Sequence, residues 1–200
     1  MLFNAFNFVE ITIIILIVIM LVSHTEAFSM EITTVESTVD NIKYVVLNLP
    51  DKINAANRLA RLRLKLLNFI EHLDSKVINN KEFKKKIKRI QGKFKAVLTE
   101  SRPGSKFTSF TTDKGRKIHM CIRERDENNR FIDDNTLFFV ALHELAHVMT
   151  ISIGHKQDFW QNFEYLLKQA INMGYYKYHP YHTSPKKYCG MEISDTPYKI

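Results

Sequence analysis

Residues 133–154 read DDNTLFFVALHELAHVMTISIG, and this segment constrains the chain more than any other. Asp133, Asp134 and Asn135 are N-cap candidates, and Leu137, Phe138, Phe139, Val140, Leu142, Leu145, Val148 and Met149 follow at spacings that leave no polar face. A helix apolar almost all round belongs in the centre of a domain. Gly154 is the expected C-terminal stop. Into this helix the sequence sets His143, Glu144 and His147. Burying two imidazoles and a carboxylate among apolar side chains is costly unless a metal or specific partners compensate.

Residues four apart lie on one helix face, with Cβ atoms about 5–6 Å apart. His143 and His147 can therefore converge on one zinc ion at Zn–N distances of about 2.0–2.1 Å. Glu144 is rotated about 100° from His143, so it need not bind the metal and can reach water in an open coordination position. H-E-x-x-H thus combines two metal ligands with one general base. Chance alone yields the pattern in a chain of this composition on the order of 0.02 times. A catalytic zinc needs a third protein ligand. His155 is the expected one, because the chain turns back there before an amphipathic helix carrying Phe159, Phe163, Leu166, Leu167 and Ala170 and ending near Gly174. Asp158 and Glu164 compete for the position, and His119, His179 and His182 are more simply loop or surface histidines.

The rest of the chain supplies a framework. Residues 44–49 form a short β-type run closed by Pro50-Asp51. A helix follows over 52–73, with Asp51 as its N-cap and Ile53, Leu59, Leu66, Leu67 and Ile70 as its buried stripe. A basic helix spans 81–93. Residues 107–112 and 117–123 flank Asp113-Lys114-Gly115, a hairpin signal, and the second strand offers an edge for an extended peptide. Tyr178, Tyr181 and Tyr188 are candidate oxyanion donors in the tail, and Met191 a candidate floor for the metal site.

A formal charge of +8 draws on the run Lys84-Lys85-Lys86-Ile87-Lys88-Arg89, extended by Lys93 and Lys95. Such a surface suits anionic partners, nucleic acid among them. Phe83, Ile87, Ile90 and Phe94 recur beneath it at helical spacing, which favours a solvated helix face over a nucleic-acid site. The two cysteines, Cys121 and Cys189, are too few for a disulfide scaffold. One bridge and two free thiols both remain open.

At the front, Ile11 to Val22 is one hydrophobic block, and counted from Leu2 the stretch is about 20 residues, enough for a transmembrane helix. The first residues lack Lys and Arg, which favours a retained anchor over a cleaved signal peptide. The expected organisation is an anchor over 1–23, a tether over 24–42 and a folded domain over 43–200. The chain would then be a single-pass protein contacting the bilayer through residues 1–23, or a secreted one if the segment is cleaved.

With these residues in view, NTLFFVALHELAHVMT followed by GHKQDFW resembles the WLM and SprT-like zincin metallopeptidases. AANRLARLRLKLL and the tail YCGM are similar to segments of uncharacterised metallopeptidase-like proteins of large DNA viruses. The resemblance implies an α+β fold: a small zincin-like domain with a short antiparallel sheet, a buried HExxH helix and a following amphipathic helix. It implies Zn2+ as cofactor, His143, His147 and His155 as ligands, Glu144 as base, and a protein or peptide substrate. Relatives of this type act on proteins attached to DNA. Seven residues separate His147 from His155, and Thr150 stands where metzincins need glycine, which excludes that family. A non-catalytic zinc-binding membrane or virion protein is the alternative. Glu144 argues against it, because a purely structural site needs no base.

Overall fold

The computed structural model describes residues 8–28, 32–76, 81–113 and 115–199. The chain divides into two units, 1–31 and 32–200. The first contains helix α1, Phe8–Phe28. Ile11 and the residues from Ile13 to Met20 expose about half or more of their surface. Among the described residues no helix is long and apolar enough to cross a membrane. The expected transmembrane span over 1–23 is therefore not found among them, and residues 1–7 lie outside the description.

The stretch expected to be a tether also differs. Residues 29–31 lie outside the description, but Ile32–Glu36 is strand β1, paired antiparallel with β2, Lys43–Leu47. Its Thr/Val alternation is a two-residue period, which fits a half-buried strand. Ser37 and Asn57 fasten the turn that follows, the Ser37 hydroxyl donating to Asn57 Oδ1 at 2.9 Å. The folded unit thus begins eleven residues before the expected boundary.

Helix α2, Lys52–Lys76, buries Ala55, Ala56, Leu59, Leu66, Phe69, Ile70 and Leu73. Ile53 is half exposed and outside the stripe. Asp51 does not cap α2 through its side chain. Its carboxylate accepts from both terminal nitrogens of Arg123, at 2.7 and 2.8 Å. Helix α3, Lys81–Lys93, matches the expected basic helix, with Ile87 and Ile90 buried and Lys84, Lys85 and Lys88 exposed.

The central sheet contains β3, Val97–Glu100; β4, Phe110–Thr112; and β5, Lys117–Met120, in the order β3-β5-β4. The expected hairpin is present as β4 and β5, Phe110 opposite His119. The sheet is mixed rather than antiparallel, since β3 runs parallel to β5. β5 is consequently the middle strand with both ladders used, so it cannot accept a further strand. The free edge beside the helices is β4.

Helix α4, Asp134–Met149, buries twelve of its sixteen residues. Each fully buried Leu, Phe or Met contributes on the order of 1.5–3 kcal/mol, which makes α4 the axis of the core. Asp133 is its N-cap, accepting from Thr136 N at 2.9 Å. The helix stops at Met149, not Gly154, because Thr150 leaves helical conformation (ψ 143°) and its hydroxyl donates to Ala146 O at 2.7 Å. Gly115, in the β4–β5 turn, approaches α4 so closely that a Cβ there would lie 2.7 Å from Val148 Cγ1. Helix α5, Gln157–Asn172, packs back on α4 through Phe159, Phe163, Leu166 and Leu167. The tail adds a hairpin of β6, Lys186–Tyr188, and β7, Met191–Ile193. Cys189, in its turn, is disulfide-bonded to Cys121 just beyond β5, so the two cysteines form one bridge.

Candidate metal centre

The histidine spacing becomes a site through two helices and one loop. His143 and His147 project from one face of α4, with ring centroids 5.0 Å apart. His155 arrives from the loop before α5. Its Nε2 lies 3.1 Å from His143 Nε2 and 3.1 Å from His147 Nε2. All three residues offer a nitrogen within 4.8 Å of the others. The loop is fastened at both ends: Ser152 Oγ donates to the Asp158 carboxylate at 2.6 and 2.7 Å, and Asn162 Nδ2 donates to Thr150 Oγ1 at 2.8 Å.

The donor chemistry fits a zinc ion. A ring nitrogen carries one proton at most, so His155 Nε2 cannot donate to both neighbours, whereas three lone pairs can share one cation. Tetrahedral zinc with Zn–N of 2.0–2.1 Å needs nitrogens about 3.3 Å apart, close to the separations found. Burial, then the neighbouring imidazoles, push the pKa of His143 down to about 3; burial, then His155, push that of His147 down to about 4. Both rings are neutral near pH 7 and ready to ligate.

Glu144 is buried, 4% exposed, with its pKa pushed up to about 7 by burial, an effect opposed by a hydrogen bond from Thr111. Thr111 Oγ1, on β4, donates to Glu144 Oε2 at 2.8 Å. Oε1 has no hydrogen-bond partner among the described residues and is not fully enclosed. One carboxylate oxygen is anchored and the other carries no hydrogen bond among the described residues. Phe159 is the shelf beneath the imidazoles, its ring 4.9, 4.3 and 4.7 Å from those of His143, His147 and His155. Trp160, 5.7 Å from the His155 ring, stands at the rim.

The other candidates lie elsewhere. The Asp158 carboxylate is taken by Ser152, and Glu164 is exposed on α5. His119 stacks on Phe110 at 4.4 Å and meets Thr99 Oγ1 at 2.8 Å; His179 Nε2 meets Ser184 O. His182 is exposed. Met191 is half exposed beside Thr108, so the floor is Phe159. Tyr181 packs on Phe139 and Tyr178 on Tyr198. Tyr188 has its hydroxyl on Ser109 Oγ at 2.6 Å, and its pKa is raised chiefly by burial and further by the nearby Glu144 carboxylate. Sequence reasoning missed Thr111. Its only local signal is the alternation of β4, which turns it away from Phe110.

A WLM domain family model matches residues 37–197. Uncharacterized protein R325 of Acanthamoeba polyphaga mimivirus is 32% identical over 193 residues, covering 96% of this chain and 98% of that protein. Uncharacterized protein 042R of Invertebrate iridescent virus 3 is 43% identical over 83 residues, 42% of this chain and 50% of that protein. Among solved structures, Wss1 from Saccharomyces cerevisiae is similar with a TM-score of 0.46 and 20% identity, over 64% of this chain and 88% of that chain. Wss1 from S. pombe is similar with a TM-score of 0.43 and 25% identity, over 62% and 87%.

Proposed function

Because the chain belongs to the WLM domain family, we propose that it is a zinc-dependent metallopeptidase, hydrolysing peptide bonds with His143, His147 and His155 as metal ligands and Glu144 as general base. The observation that carries this reading is the pairing of three convergent imidazoles with an adjacent, half-anchored carboxylate. When bound, zinc supplies Lewis-acid activation of water and of the substrate carbonyl. The neutral rings of His143 and His147 offer their Nε2 lone pairs, and the loop fixed by Ser152 and Asn162 brings the third. Glu144 takes a proton from water at Oε1 while Thr111 holds Oε2, then delivers the proton to the leaving amine. Burial raises the Glu144 pKa in the metal-free protein, and a general base works best near the operating pH. Beside it, the free edge of β4 offers backbone groups to an extended substrate.

Single-pass membrane attachment through residues 1–23 is part of the same proposal. It is supported by the apolar block from Ile11 to Val22. The test is direct. The full chain, purified in detergent, should bind one zinc and cleave an unfolded protein, and Glu144→Gln should keep the zinc and lose cleavage. Equal cleavage by both forms would remove Glu144 as base, and absence of zinc would remove the entire reading. Extraction of the membrane fraction with alkaline carbonate should leave the chain in the pellet, and its release would remove the anchor.

A further inference from the structure

The hydrogen bond from Thr111 to Glu144 belongs to a longer chain of contacts. β4 has three residues and lies at the edge of the sheet, and so short an edge strand is weakly fixed by its ladder alone. Side chains alternate along it: Phe110 stacks on His119, and Thr111 turns to α4. Just before β4, Ser109 Oγ accepts from Cys121 N at 3.0 Å and meets the Tyr188 hydroxyl at 2.6 Å. Tyr188 is 2% exposed, and the residue after it, Cys189, is covalently joined to Cys121. Ser109 is therefore gripped by two segments that the disulfide locks together. The preceding loop is held as well: Arg125 donates to the carbonyls of Ser105 and Phe107, both at 3.2 Å, and Ser101 Oγ donates to Thr108 O at 2.8 Å.

We infer that Thr111 is a positioning residue for Glu144, and that the disulfide-tied tail hairpin holds Thr111 in place through Tyr188 and Ser109. This rests on the metallopeptidase reading for its kinetic consequence, though not for its structural one. The Thr111 hydroxyl is spent on Glu144, so this side chain acts on the carboxylate whatever pairs with the backbone of β4. By fixing Oε2 it sets the direction in which Oε1 meets water, so it acts on turnover more than on substrate binding. Opening the disulfide loosens the tail, then β4, then the carboxylate, and so makes turnover sensitive to the redox state of a bond remote from the metal ligands.

The experiment uses the zinc-loaded full chain. Thr111→Val keeps the shape and removes the donor. It should retain zinc and KM while kcat falls roughly tenfold or more, the effect of one hydrogen bond to a charged group, and Thr111→Ser should restore most of kcat. Amides of residues 110–112 should exchange with deuterium faster in Tyr188→Phe and in the reduced protein, with zinc content unchanged. An unchanged kcat in Thr111→Val, or a loss that Thr111→Ser does not repair, overturns the positioning role. Unchanged exchange in both Tyr188→Phe and the reduced protein overturns the tail's part. Should the wild type cleave nothing, the metallopeptidase reading falls, and crystals of zinc-loaded Thr111→Val decide the rest: a Glu144 carboxylate left where it was overturns the inference.

Discussion

Two polar clusters in the same domain are built on opposite principles. Around Arg123 every charge is answered. Its guanidinium meets Glu100 at 2.8 Å and Asp51 through two nitrogens, Glu100 Oε2 accepts from Leu47 N at 2.8 Å, and the guanidinium carbon lies 4.1 Å over the Phe131 ring. Around His143, where His147 is also half-buried and His155 is exposed, acceptors gather without donors. Three ring nitrogens face one another, and one oxygen of Glu144 has no hydrogen-bond partner among the described residues. The first cluster ties β2, α2, β3 and the strand end after β5 into one frame. The second gathers the groups proposed to hold the metal. A buried polar group with all its partners is architecture, and a gathering of unpaired acceptors is a candidate site.

Substitutions should separate the two. The largest effect is expected at the metal centre: His143→Ala or His147→Ala should abolish stoichiometric zinc and with it cleavage, measured by metal analysis of the dialysed protein. Glu144→Gln should keep the zinc and lose roughly 10²- to 10⁴-fold in kcat, the range for removal of a general base. At the other cluster the damage should appear in folding. Arg123→Ala leaves Glu100 buried and uncompensated, and should cost about 3–5 kcal/mol in denaturant unfolding. If Arg123→Ala proved harmless to stability, the division between frame and site would break.

Acid should sharpen the contrast in metal-free protein. The folded-state pKa values of His143 and His147 lie below the ordinary 6.5, at about 3 and about 4. The unfolded chain therefore binds protons first. The stability these rings contribute is fully present above pH 6.5 and drains away as the pH falls toward 3. Denaturant midpoints in chelator, compared between the wild type and His143→Phe, should show a steeper acid loss in the wild type. The smallest effect is expected on α3. Replacing Lys84, Lys85 and Lys88 together with Gln should change stability by less than about 0.5 kcal/mol, because these side chains face solvent.

Those expectations show which parts of the molecule were legible in the sequence. The histidine site was legible because helical spacing fixes which residues share a face, and because polar groups on a buried helix call for a reason. α3 was legible from end to end, its charge and its apolar stripe having one period. β1 was not: ITTVE carries no strong apolar signal and becomes a strand only because β2 lies opposite it. β3 went unnoticed for the same reason, and without it β5 looked like an edge. The role of Asp51 was misplaced because local sequence offers it a helix to cap, while Arg123, 72 residues away, makes the stronger claim on its carboxylate. Thr111 was invisible for a related reason, as its partner is 33 residues distant.

The bridge between Cys121 and Cys189 spans 68 positions, and every residue proposed to bind metal or move a proton falls between its ends. Residues 121–189 thus form a covalent ring. A cut in the exposed turn at Glu127-Asn128 would open that ring without parting it, and the two pieces would run as one band until a reductant was added.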